Sequence, residues 1–279
     1  MTIAAALQYL YDTNGQNIRN TKSIAPADGT LLRYAASDGS YTYRIENGFI
    51  IAQSEDVAFA ANSTAACDEN NSVTCYGAAF TFQRSNAATW GLHRFTPSQA
   101  ANPPSLRYLT FGSVDRAAAD RFTGRQQYDA RYFAYGFPTA VAGVPSGGSA
   151  SYSGPLIGRA TGDSPASFPR DFEGAQYKLT GTFILEVNFG ANTARLLVVF
   201  QGTQFDCRVT CGAPITLQFE AQGNLSGGAA SFQLPGGSAG FLLGGPAAEE
   251  AGGSFVFSAN DPSDTRRALT VAGSAAGKR

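Results

Sequence analysis

The sequence predicts an all-β fold, with an irregular N-terminal β-domain followed by a small antiparallel barrel of about eight strands. Three observations lead there. In FILEVNFG, Phe183, Leu185, Val187 and Phe189 share one face while Ile184, Glu186 and Asn188 share the other, the period of two that a half-buried strand requires. The 279 residues include 32 glycines, 13 prolines and 20 phenylalanines against a single methionine, which favours short strands joined by tight turns over long helices. Residues 240–255, GFLLGGPAAEEAGGSF, place one short helical turn with glycine exits between two strand-like segments, a plug or corner in a β-structure. Glu249 and Glu250 fall too late in that turn to cap it.

Taken in order, residues 4–11 form an apolar run too short to separate a strand from a helical turn. SYTYRI (40–45) sets Tyr41, Tyr43 and Ile45 on one face, AFTFQ (79–83) pairs Phe80 with Phe82, and RYLTFG (107–112) is a third strand. In TWGLHRF, extended geometry separates Trp90, Leu92 and Arg94 from His93 and Phe95. The linker AVAGVPSGGSAS (140–151) is the sharpest change in composition and divides the chain near residue 146, into a domain of residues 1–145 and one of 146–279. Beyond it, strands are expected at 149–160, in a hairpin over 181–202 turning at GAN, at 215–222 with Ile215, Leu217, Phe219 and Ala221 on one face, and at 228–234, 254–259 and 267–273. Phe183, Leu185, Val187, Phe189, Leu217, Phe219 and Phe257 should fill the barrel.

Composition also excludes functions. A net charge of -1 gives no basic surface for nucleic acid. No apolar run approaches the roughly 20 residues of a membrane-spanning helix. GGSAG (236–240) matches the nucleophile-elbow pattern, but it follows LPGG between two strands, where Ser238 reads as a turn residue. Its only possible histidine base, His93, lies in the other domain. Asp163, Asp171 and Glu173, like Asp68 and Glu69, read as solvated loop charge. Asp68, Asn70 and Ser72 resemble the start of a calcium loop that lacks its glycine and distal glutamate. No enzyme activity and no metal site are expected.

The blocks LRYAASDGSYTYRIENG (32–48), RYLTFGSV (107–114), FAYGFPTAVAGVPSGGSASYSGPLIGRATG (133–162), YKLTGTFILEVNFGANTARLLVVFQG (177–202), GNLSGGAASFQLP (223–235) and 240–255 together resemble transferrin-binding protein B and related surface lipoproteins of Gram-negative bacteria. The resemblance implies an irregular N-terminal domain, a C-terminal β-barrel, and a cell-surface, outer-membrane or secreted protein that is lipid-anchored in the family. Residues 1–10 lack the charged start and long apolar stretch of a signal peptide, and no cysteine precedes Cys67, a departure from the family. The implied function is ligand binding: capture of an iron carrier, haem or another host or environmental ligand for an outer-membrane receptor. The alternative is a structural protein of a fibre, surface layer or adhesion assembly.

Tyr41, Trp90, Tyr108 and Tyr132 are the candidate ligand-binding aromatics, within a wider set that includes Tyr43, Phe133, Tyr135 and Phe137. Such side chains either form the core of an irregular sheet or present large, stiff contact area to a partner. In transferrin-binding relatives the N-terminal domain makes the main contact. His93, the single histidine, lies among aromatics; its ordinary reading is structural, its functional one an axial ligand to haem. Four cysteines permit three disulfide connectivities. Local pairs, Cys67 with Cys75 and Cys207 with Cys211, are expected because each brackets a short loop; zinc is disfavoured by the absence of CxxC spacing.

Overall fold

The computed structural model describes the backbone of residues 2–11, 17–19, 31–35, 40–45, 55–59, 79–84, 88–94, 105–119, 126–162, 176–204 and 212–279, and side chains at 42, 92, 105–115, 130–162, 176–204, 212–263 and 268–279. The first nine strands are β1 (Thr2–Tyr11), β2 (Asn17–Arg19), β3 (Leu31–Ala35), β4 (Ser40–Ile45), β5 (Glu55–Phe59), β6 (Ala79–Arg84), β7 (Ala88–Arg94), β8 (Leu109–Ala119) and β9 (Gln126–Gly136). They make a six-stranded sheet ordered β2-β1-β9-β8-β7-β6 and a three-stranded sheet ordered β3-β4-β5. The ambiguous run at residues 4–11 is thus strand, paired antiparallel along its length with β9.

Eight further strands close on themselves: β10 (Ser149–Gly162), β11 (Gln176–Asn188), β12 (Thr193–Gln204), β13 (Ile215–Ser226), β14 (Ala229–Leu234), β15 (Gly237–Gly244), β16 (Glu250–Asp261) and β17 (Asp264–Lys278). Every neighbouring pair is antiparallel, and β17 pairs back with β10 to complete the ring. The expected hairpin over 181–202 is β11 and β12; Asn192, at φ 55°, completes its turn, and the Ala191 N–H donates to Asn188 Oδ1 at 3.0 Å.

The barrel interior is packed with aromatics. Phe183, Leu185, Val187, Phe189, Leu217 and Phe257 are buried in one cluster, with Phe219 half-buried against it. Phe219 and Phe257 lie 4.4 Å apart between ring centroids, and Phe200 meets Phe255 edge-on at 5.3 Å. Inward glycines make the room: a Cβ on Gly273 would stand 2.4 Å from Phe255 Cζ, and one on Gly253 2.5 Å from Phe241 Cγ. At these positions small residues face large ones, as the interior of a narrow barrel requires.

Two local expectations are corrected. Residues 240–255 hold no helical turn: β15 and β16 pair from Ser238↔Val256 to Gly244↔Glu250, and 245–248 is a tight loop. Positive φ at Gly245 (86°) and Ala248 (55°) interrupts any helical run. Ser238 is not in a turn but in β15, between Gln233 and Val256, so no strand-to-helix elbow exists there.

The six-stranded sheet packs on the outer wall of the barrel. Phe111, Ala130, Tyr132 and Ala134 of β8 and β9 form a second core with Ile157, Val256, Ala272 and Ala276 of β10, β16 and β17. The opposite face of the sheet is also covered, since Leu92, Val114 and Phe133 are buried. Small side chains on that barrel wall let two sheets approach closely, and Ser274 donates its hydroxyl to the Gly112 carbonyl at 2.9 Å across the seam.

Candidate functional site

The junction between sheet and barrel is built around Glu250, at the start of β16. Its buried carboxylate accepts the backbone N–H groups of Arg107 (2.5 Å), Tyr108 (3.0 Å) and Leu109 (2.9 Å), three successive donors at the entry to β8. These donors lie at or just before the start of β8, beyond the Arg94↔Gly112 pair that ends its pairing with β7, and a carboxylate from another element satisfies them. Leu109 fits over Gly244, where a Cβ would come within 2.5 Å of Leu109 Cγ, and the Tyr108 ring lies on Gly245. Glu250 thus caps the entry to β8 rather than its own loop.

From this junction, residues 137–148 run across one end of the barrel into β10. The Phe137 N–H donates to the Tyr108 carbonyl (2.9 Å), the Gly245 N–H to the Phe137 carbonyl (3.2 Å), and the Thr139 N–H to the Leu243 carbonyl (2.8 Å). Thr139 Oγ1 donates to the Gly245 carbonyl at 2.7 Å, and the Phe189 N–H reaches the Gly148 carbonyl at 2.9 Å. A short 3-10 turn at Val141–Gly143 lies in this linker. Two large apolar side chains on this pinned backbone face outward: Phe137 is 76% exposed and Val141 74%. Pro138 and Ala140 are exposed beside them in sequence, and Pro246 and Ala247 are exposed on the β15–β16 loop, whose Gly245 bonds to Phe137.

Beside the same end, a groove of about 400 Å³ lies along the outer ends of β10 to β13. Register aligns Ser151, Glu186, Arg195 and Gln222 in one row across four strands. Arg195 donates through Nη1 to Glu186 (2.9 Å) and through Nε to Glu220 (2.7 Å). These bonds raise the guanidinium pKa, Glu220 being the larger cause, and hold the Glu220 carboxyl below the usual range.

The sequence candidates are dispersed. Tyr132 is fully buried in the sheet-to-barrel core, opposite Ser113, and offers a partner no surface in this conformation. Tyr108 is half-buried at the junction. The backbone of Tyr41 is in β4, facing Tyr34 and Phe59 in register; Trp90 and His93 are both in β7, opposite Arg116 and Ser113 of β8. The side chains of Tyr41, Trp90 and His93, and all of Cys67, Cys75, Cys207 and Cys211, lie outside what is described. The sequence leaves Phe137 open between core and contact surface, and the structure places it on the surface; Val141 was not among the sequence candidates. The signal for Phe137 was its setting between Gly136 and Pro138, where no alternating pattern gives a ring a face to bury against.

No protein-family model matches the sequence, and no curated protein matches it. Among solved structures, the chain is similar to transferrin-binding proteins B. Against intact Ap-TbpB with its N and C lobes, identity is 13% over 99% of this chain and 46% of that one, at a TM-score of 0.43. Against a double mutant of the vaccine antigen from Haemophilus parasuis Hp5, it is 13% over 94% and 47%, at 0.41. Against the isotype 1 protein from serogroup B Neisseria meningitidis, it is 13% over 99% and 44%, at 0.37. The chain spans less than half the length of these three proteins.

Proposed function

We propose that this chain is a non-enzymatic ligand-binding protein of the cell surface or the secreted space, organised as an N-terminal domain (1–145) and a barrel domain (146–279), which captures a host or environmental protein and presents it to an outer-membrane receptor. The observation that carries the reading is the exposure of Phe137 and Val141 on a backbone fixed by hydrogen bonds to the barrel. Apolar anchors held in place before binding lose little conformational entropy on contact, which is the physical basis of a hot spot. The packed interior supports the same reading, because it assigns the barrel a scaffold's part and leaves binding to its outside. The sequence resemblance to surface lipoproteins supports the location.

Pull-down from the native environment identifies the partner, and purified transferrin is the first defined probe. Truncating Phe137 to alanine should weaken capture by about 2 kcal/mol if it is a hot spot. Equal capture by the wild type and a Phe137→Ser/Val141→Ser double variant refutes the site. Concentration-dependent self-assembly with no captured partner instead supports a structural role.

Two finer proposals remain with the chain. Haem held by His93 would give a Soret band with hemin that His93→Ala abolishes, since no second imidazole exists to take its place. Local disulfides would link Cys67 to Cys75 and Cys207 to Cys211 in non-reducing peptide maps.

A further inference from the structure

The groove across β10 to β13 carries an arginine between two carboxylates. Arg195 is committed to two carboxylates, one on each neighbouring strand. Two carboxylates outweigh its single charge and repel an anion, while three of its five N–H groups are left to donate to a neutral oxygen. Besides the Glu186 carboxylate, the groove presents neutral hydrogen-bonding groups: the hydroxyls of Ser149, Ser151 and Thr193 and the amides of Asn188 and Gln222. These offer donors and acceptors side by side. The two salt bridges also hold the planar guanidinium in the middle of the row. A volume of about 400 Å³ falls in the range of pockets that take small organic ligands.

We propose that this groove is a binding subsite for a neutral, polyhydroxylated ligand, a saccharide, with Ser151, Thr193 and Gln222 exchanging hydrogen bonds with its hydroxyls and Arg195 underlying its ring. Alternating donors and acceptors without net cationic charge match sugar hydroxyls, each of which both donates and accepts. A phosphate or carboxylate would find no uncommitted cation here. A peptide strand is disfavoured as well, because all four strands are paired within the closed barrel and offer no free backbone edge. The inference stands independently of protein capture at Phe137, which lies on the linker and not on this row.

The test is saturation-transfer NMR on the whole chain with methyl β-glucoside, lactose and chitobiose, and with inorganic phosphate and lysine amide as charged probes. Transfer to the ring protons of at least one saccharide is expected, with none to the charged probes. Gln222→Ala and Arg195→Lys should each weaken that binding about tenfold, the first by removing hydrogen bonds and the second by removing the planar face. Thr193→Val, which keeps shape and removes the hydroxyl, should weaken it too. Phe137→Ala should leave it unchanged. All four positions are on the surface, and unaltered circular dichroism confirms that each variant folds. No transfer from any saccharide, transfer that survives all three groove substitutions, or binding of only a charged probe overturns the proposal.

Discussion

Replacing Glu250 by glutamine or alanine tests the junction most directly. The wild-type carboxylate accepts three backbone N–H groups at 2.5, 3.0 and 2.9 Å. A hydrogen bond to a charged group contributes about 1.5–3 kcal/mol net, and a buried donor left without a partner costs about 1–3 kcal/mol. The N–H of Leu109 is buried, whereas those of Arg107 and Tyr108 are partly buried and regain water in the variant. Glu250→Ala should therefore cost about 3–5 kcal/mol, and Glu250→Gln, which keeps a neutral acceptor and turns an amide N–H toward the donors, about 2 kcal/mol. Losses of that size are a large share of the roughly 5–15 kcal/mol that holds a domain folded. Trp90, the chain's only tryptophan, is in β7 of the N-terminal sheet, so its fluorescence during guanidinium titration follows that sheet. Its transition should move to lower denaturant in both variants, further in the alanine one. A Glu250→Ala protein within about 0.5 kcal/mol of the wild type would refute the reasoning.

Gly244→Ala should destabilise by about 1–3 kcal/mol in the same titration, because its Cβ would sit 2.5 Å from Leu109 Cγ, and the double variant with Leu109→Ala should recover part of the loss. Phe200→Ala, which empties the centre of the barrel between Phe219, Phe255 and Phe257, should cost about 3–5 kcal/mol by thermal or chemical unfolding. Burial raises the Tyr152 pKa above 10.0, against the opposing influence of Arg279. A neutral phenol favoured by the fold contributes stability that is complete below the unfolded value and is lost as pH climbs through the folded one. Melting temperatures should accordingly fall above about pH 10, less steeply in Tyr152→Phe, and an identical alkaline decline in both proteins contradicts the assignment.

The barrel was legible in the sequence wherever its determinants were local. Alternation in FILEVNFG set which side chains of β11 face inward, and the GAN turn supplied the hairpin with β12, because a period of two and a tight turn both act between near neighbours. The same logic placed Leu217 and Phe257 inside. It failed at 240–255, where Pro246 after two glycines resembles a helix start in isolation, yet the pairing of β15 with β16 overrides that preference. Contacts between distant parts of the chain were decided only by tertiary structure. Glu250 meets residues 107–109 across more than 140 positions, and nothing around it distinguishes a buried acceptor from a solvated loop charge. Tyr132 and Phe137 are five residues apart and both aromatic, but the first is enclosed by the docking of a sheet on the barrel wall and the second lies beyond the last paired residue of β9. Ser151, Glu186, Arg195 and Gln222 become one row only through the register of four strands. Periodicity states which face of a strand a residue occupies; what covers that face depends on which other element arrives there.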